Sequence, residues 1–242
     1  MESIVTCMEC FVQDGVPNMM STQMGRVEDS RVIEYICPKG HRTVTIIQQE
    51  KFELLSEMAI KAIVDGYYRD AVASFSGALE RLYEFFTKIT CRKRGIKNDE
   101  FSKFWNPLSK QSERQLGAFA TAFLIETEAT PKLLANNQTT LRNEVIHKGK
   151  FPTREETIRF GQAVADCAHP ILEKLRAEPY KSLVTELVME DSLLRSKAAL
   201  EENIRVSSCH ITTPFSLTYS EVQIDIEKAV SSYAARPDMR KL

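Results

Sequence analysis

Two groups of residues in this chain have types and spacings suited to chemistry. The first is Leu141-Arg142-Asn143-Glu144-Val145-Ile146-His147-Lys148-Gly149-Lys150, where a guanidinium and an imidazole share one short segment. A guanidinium matches phosphate or carboxylate oxygens through paired donors, and an imidazole exchanges a proton near neutral pH. The second is Cys7-x2-Cys10 together with Cys37-Pro38-Lys39-Gly40-His41. Three thiolates and one imidazole are a donor set that Zn²⁺ takes in a tetrahedron, and four protein ligands leave no open position. That set therefore predicts a structural zinc ion bound by Cys7, Cys10, Cys37 and His41, with no metal required for catalysis.

The arginine and histidine need an element to position them. A helix entered from Pro131 places Leu133, Leu134, Leu141, Val145 and Ile146 at core-compatible spacing, and Asn143 and His147, four apart, then share a face. Gly149 suits the position just past the helix end, where a left-handed backbone suits glycine. His147 then sits in the last turn, where exposed carbonyls favour an imidazolium by about 0.3–1 kcal/mol. At about 100° per residue, Arg142 and His147 lie about 140° apart on a straight helix. They converge only if the helix end loosens or if a second copy supplies the other half.

Arg142, four intervening residues and His147, with Asn143 directly after the arginine and Lys148-Gly149 following, resemble the R-x4–6-H signature of HEPN domains. Gly66-Tyr67-Tyr68-Arg69-Asp70-Ala71-Val72 with Ala78-Leu79-Glu80 is similar to the first helical hairpin of that family. The resemblance covers about residues 50–176 and implies a mainly α, antiparallel helical bundle that dimerises with its Arg/His pairs facing one another. It also implies a metal-independent endoribonuclease of the kind found in toxin–antitoxin and anti-phage systems, with an antitoxin or defence-system protein as a partner.

The reaction such residues support is attack of a ribose 2′-hydroxyl on its own phosphate, leaving a cyclic phosphate and a 5′-hydroxyl. Arg142 would stabilise charge on the non-bridging oxygens. His147 would move a proton, and Asn143 would orient either His147 or the phosphate. Lys148 and Lys150 would contact flanking phosphates. One protomer offers one such histidine whereas an acid–base pair needs two, which predicts a homodimer with sites at its two-fold axis. Two readings from other classes stand beside it. In one, the module is non-catalytic, binds nucleic acid or a nucleotide, and recruits a partner through its zinc site. In the other, Arg142 only pairs with Glu80 or Glu144 and His147 only caps a helix.

Composition bounds these readings. The chain has 242 residues, a formal net charge of −1, 43% hydrophobic and 27% charged residues, which describes a globular protein and not a generally basic nucleic-acid binder. Any RNA contact must come from a local patch. No apolar run is long enough to span a membrane and no basic-then-apolar leader opens the chain, so a cytoplasmic protein is expected. Six cysteines in a reducing compartment favour metal over disulfides.

Three segments are expected. Residues 1–47 form a zinc-ribbon-like β module, with Ser3–Thr6, Val32–Ile36 and Thr43–Ile47 as strand-like flanks of tight metal-binding turns. It holds four Arg/Lys against six Asp/Glu, so it folds against the bundle or recruits a partner rather than binding nucleic acid by itself. Residues 48–176 form the bundle. Phe52, Leu55, Ala59, Ala62 and Ile63 stripe a first helix, and Ala71, Val72, Phe75, Ala78, Leu79, Leu82, Tyr83 and Phe86 stripe a second across an Asp65-Gly66 turn. Glu80 lies among these apolar positions, where it either hydrogen-bonds Arg142 or rides the stripe's edge in solvent. Thr153-Arg154-Glu155-Glu156 reads as a capping box for a later helix, within which Pro170 is expected to kink the chain.

Residues 88–110 concentrate Lys88, Arg92, Lys93, Arg94, Lys97, Lys103 and Lys110, interleaved with Phe101, Phe104 and Trp105. Such a mixture suits single-stranded RNA, with Arg92, Lys93 and Arg94 as phosphate contacts. Alternatively, the aromatics pin a short helix to the bundle. With alternating helices and one helix at about 109–126 in between, this basic loop would adjoin His147. Residues 177–242 form a helical extension: one or two helices to about 205, an irregular or short extended stretch over 206–218, and a last helix capped by Ser220-Glu221-Val222-Gln223 before a charged tail.

Overall fold

In a computed structural model, residues 1–16, 19–219 and 223–236 are described. The chain order is β1 (Glu2–Thr6), α1 (Met8–Asp14), β2 (Thr22–Arg26), β3 (Val32–Ile36), β4 (Arg42–Ile47), α2 (Lys51–Val64) and α3 (Tyr68–Lys93). It continues with α4 (Asn98–Leu108), α5 (Ser112–Thr127), α6 (Asn136–His147), α7 (Arg154–Arg176), α8 (Tyr180–Glu201), β5 (Val206–Cys209) and α9 (Ile226–Ala234). The protein is therefore mainly helical with two small sheets. Among the described residues no helix is long and apolar enough to cross a membrane.

Two compact units result: 1–50 with 185–212, and 51–184 with 213–236. This corrects the expected segmentation. The N-terminal module ends near the expected place, but 177–242 is no separate extension, because its residues divide between the two units. The cap expected at Ser220–Val222 and the tail from Pro237 lie outside the described residues. The last described helix starts instead behind Asp225, whose side chain accepts from the Lys228 N–H at 2.9 Å.

In the first unit β1 pairs antiparallel with β2, and β3 with β4. β5 adds in parallel to β4, with Val44 opposite Val206. Val44, Ile46 and Ala199 form an apolar cluster with Val32, Ile204 and Val206, so the later part of α8 covers the sheet. Arg31 ties these pieces together, donating to the Gln49 carbonyl at 2.9 Å and to Asp191 at 2.7 Å. Arg195 donates to the Ile47 carbonyl at 2.8 Å.

In the second unit every residue of the α3 stripe is buried, and Gly66, in the left-handed region at φ 80°, closes the α2–α3 hairpin. α2 is covered on a further, polar side as well. Buried Glu53 accepts from the Leu217 N–H, Ser56 from Phe215, and Glu57 from Arg236. α7 is one helix through Pro170, capped by the reciprocal bonds of Thr153 and Glu156.

Helix directions follow from side-chain pairs. Arg81 reaches Gln115, Tyr83 stacks on Phe119 at 4.0 Å, and Lys93 reaches Glu126, so α5 runs parallel to α3. Gly161 packs on Phe75 and Cys167 lies near Tyr83, so α7 is also parallel to α3. The chain enters α6 where Lys132 meets Asp166 and leaves it where Lys150 meets Glu156, so α6 is antiparallel to both. The expected single helix over 109–126 is therefore corrected to two, α4 and α5, and the extra helix reverses the direction of everything after it.

Candidate functional site

The second unit places Glu80, Arg142 and Asn143 together. Arg142 projects from α6 toward the middle of α3, where one terminal nitrogen donates to Glu80 Oε1 at 2.8 Å and the other to Asn143 Oδ1 at 3.0 Å. The Arg142 and Glu80 side chains are 21% and 28% exposed, so the pair is sheltered yet open to solvent on one side. Glu80 thus takes the Arg142 contact and not a solvated edge. Asn143 bonds Arg142 rather than His147.

α6 differs from the expected helix in one respect. Leu133 and Leu134 precede it in non-helical chain, and Val145 is its one buried residue. A helix so polar lies at the rim of the bundle, which leaves its functional side chains accessible. It remains helical through His147, and the Lys148 and Lys150 N–H groups close it on the Glu144 carbonyl while Gly149 takes φ 72°. Its end therefore does not loosen. His147 is exposed, and among the described residues no hydrogen bond or ion pair engages it. Five residues of rise separate it from Arg142 by about 7.5 Å along the axis.

The expected phosphate contacts divide. Lys148 is exposed and unengaged among the described residues. Lys150 is held by Glu156 at 3.1 Å and Glu144 at 3.3 Å, which raise its ammonium above the ordinary value. Lys93 and Arg94 both pair with Glu126, whose side chain is only 1% exposed, and Tyr180 donates to the same carboxylate. Burial alone would raise the Glu126 carboxyl, but Lys93, Tyr180 and Arg94 together hold it below the usual range. Lys93 and Arg94 are thus structural partners of a buried anion. Arg92 lies in the last turn of α3.

The expected adjacency of this basic segment to His147 is also corrected. Because α6 is antiparallel to α3, His147 lies toward the N-terminal half of α3, whereas Lys93 ends α3 about 20 Å beyond Glu80. Phe101 and Trp105 are buried and stacked at 5.5 Å, pinning α4 to the bundle, while Phe104 is half-exposed. The aromatics that are exposed near the motif are Phe151 and Tyr67. An aromatic directly after Lys148-Gly149-Lys150 was the available signal for the first of them.

In the first unit Cys7, Cys10, Cys37 and His41 place one donor atom each within 4.8 Å of one another. Cys7 departs from the expected strand-flanked turn. It caps α1, and its sulfur accepts from the Cys10 N–H at 3.5 Å. The second pair sits in a turn where the Gly40 N–H bonds the Cys37 carbonyl, with Gly40 at φ 84°. The Cys10 and Cys37 sulfurs are 3.8 Å apart, and His41 Nδ1 lies 3.4 Å from Cys10 and 3.8 Å from Cys7. Zn–S bonds of about 2.3 Å arranged tetrahedrally require S···S edges of about 3.8 Å. The geometry and the donor set are compatible with zinc bound through His41 Nδ1. With protons instead, burial and then the adjacent Cys7 and Cys37 sulfurs push the Cys10 thiol up to about 11.

No protein-family model, curated protein or solved structure matches this chain.

Proposed function

We propose that the protein is a metal-independent endoribonuclease of HEPN type, acting as a homodimer, with a structural zinc ion in its first unit. The observation that carries this reading is the Glu80–Arg142–Asn143 constellation beside the exposed His147 on one helix. Glu80 and Asn143 hold the guanidinium, which retains further N–H donors for a phosphate's non-bridging oxygens. His147, unengaged and accessible, exchanges the proton with the 2′-hydroxyl or the leaving 5′-oxygen. Lys148 contacts a neighbouring phosphate. The biological setting that fits such an activity is toxin or anti-phage action in the cytoplasm, under control of a partner protein.

Purified wild type, Arg142→Ala and His147→Ala would be incubated with total RNA and tRNA in EDTA, with zinc content checked and fragment ends analysed. Cyclic-phosphate ends from wild type alone are expected. Equal cleavage by all three proteins, or none by a dimeric zinc-replete wild type, refutes the reading.

The rival, a non-catalytic binding module, has one observation in its favour. Arg142 is already engaged by Glu80 and Asn143, as a purely structural arginine would be. Under that reading Arg142→Ala loses stability and His147→Ala changes nothing measurable.

A further inference from the structure

The α6–α7 connection carries a feature that the reaction above does not use. Phe151 is 84% exposed although both of its neighbours are anchored. Before it, Lys150 is bonded through its N–H to the Glu144 carbonyl at 3.1 Å and through its ammonium to Glu144 and Glu156. After it, Pro152 is buried and Thr153 closes the α7 cap. The backbone is therefore fixed on each side, and the ring is held outward rather than left on a loose loop.

Helix direction brings other groups to the same end of this unit. Arg154 at the start of α7 lies in the field of Tyr68 at the start of α3, so the loop 148–153 reaches the level of Tyr67, Tyr68 and Arg69. Tyr67 is 63% exposed. Arg69 and Lys148 are exposed and unengaged among the described residues, whereas Arg154 is paired with Glu227. Asp70 and Glu155 are the nearby carboxylates outside those pairs.

Outward-held aromatic rings interleaved with free cations are the arrangement that binds single-stranded nucleic acid, the rings by stacking on bases and the cations by meeting phosphates. We infer that Phe151 is a stacking platform for an unpaired nucleobase next to the phosphate addressed by His147, so that the site takes single-stranded RNA. The inference rests on the proposal that RNA is the ligand of this site. Paired bases present no free face, so a duplex is excluded by the same ring that accepts a single strand.

The test uses the full-length chain carrying Phe151→Trp and a short single-stranded RNA with 2′-O-methyl groups, which has no attacking hydroxyl and so reports binding alone. Native Trp105 is buried and serves as a constant background. Saturable quenching of the introduced indole by the single strand is expected, with at least fivefold weaker binding of the same sequence as a duplex and no quenching by tripolyphosphate. Phe151→Ala should weaken single-strand binding about tenfold, the loss that follows removal of one base–aromatic stack, and Phe151→Tyr should stay within twofold of wild type. Absence of quenching, or equal binding of single strand and duplex, overturns the inference. So does an indole emission that is already blue-shifted and depends on protein concentration, because a second copy would then cover the ring. If stacking is found but wild type leaves unmodified RNA uncut, the nuclease reading fails while the stacking site stands.

Discussion

The Arg142–Glu80 pair offers the sharpest energetic test of the site. Two unit charges 4 Å apart attract by about 4 kcal/mol at an effective dielectric constant of 20, before desolvation is subtracted. Fully exposed pairs retain about 0.2–1 kcal/mol, and hydrogen bonds to charged groups about 1.5–3 kcal/mol. With a 2.8 Å bond and side chains 21% and 28% exposed, this pair belongs between those ranges. A coupling of about 1–2 kcal/mol is therefore expected from a double-mutant cycle of Glu80→Ala and Arg142→Ala read by urea unfolding. Activity should separate the two residues. Arg142→Ala removes the donor to the transition state and should lower the rate by about 10²–10³-fold. Glu80→Gln keeps an acceptor for Arg142 and should cost about tenfold, through looser positioning. A coupling near zero, or a fully active Glu80→Ala enzyme, would refute the claim that Glu80 positions the guanidinium.

Three further outcomes are expected. One zinc ion per chain should be found by native mass spectrometry, and at free zinc a thousandfold above Kd it should stabilise the first unit by about 4 kcal/mol; stripping it should speed amide exchange in β1–β4 and leave α3 unchanged, and exchange that ignores zinc argues against a structural ion. Glu126 has a folded-state pKa held below its unfolded value, so it contributes stability that is present above about pH 4.3 and lost as pH falls through the lower value; Glu126→Gln should flatten that acid limb in unfolding curves, and an unchanged limb would contradict the pairing. A Cβ added at Gly161 would lie 2.6 Å from buried Phe75, so Gly161→Ala should destabilise the bundle by about 1–3 kcal/mol, with partial rescue by Phe75→Leu as the check.

The sequence carried local information well and long-range information poorly. The α3 stripe, the Thr153 capping box and the chelating spacing of Cys7, Cys10, Cys37 and His41 are each written within a few residues, so periodicity and ligand spacing expose them. β5 was not legible as a strand because Val206-Ser207-Ser208-Cys209 acquires its structure from β4, some 160 positions away. The buried polar side of α2 was invisible for a similar reason, since Glu53 and Glu57 read as solvated until Leu217 and Arg236 are brought to them. Lys93 and Arg94 looked like free cations because their partner Glu126 sits across a helix pair. The position of His147 relative to the basic segment turned on α4, a short helix hidden in a stretch read for its charge. One uncounted helix reverses every direction after it.

The rigidity of α6 has a consequence for where a complete site can form. Arg142 is drawn toward α3 by Glu80, and His147 emerges about 140° further round a helix that stays regular to its end. One phosphate cannot touch both groups of one chain without unwinding that turn. A two-fold axis beside α6 solves this, because it sets the His147 of one chain against the Arg142 of the other. Mixed chains distinguish the cases. Arg142→Ala and His147→Ala proteins should each be inactive alone. Exchanged in equal amounts, they give half heterodimers, each with one site built from intact Arg142 and intact His147, so about a quarter of wild-type activity should return. If each site instead drew both residues from one chain, no heterodimer would contain an intact site and mixing would restore nothing.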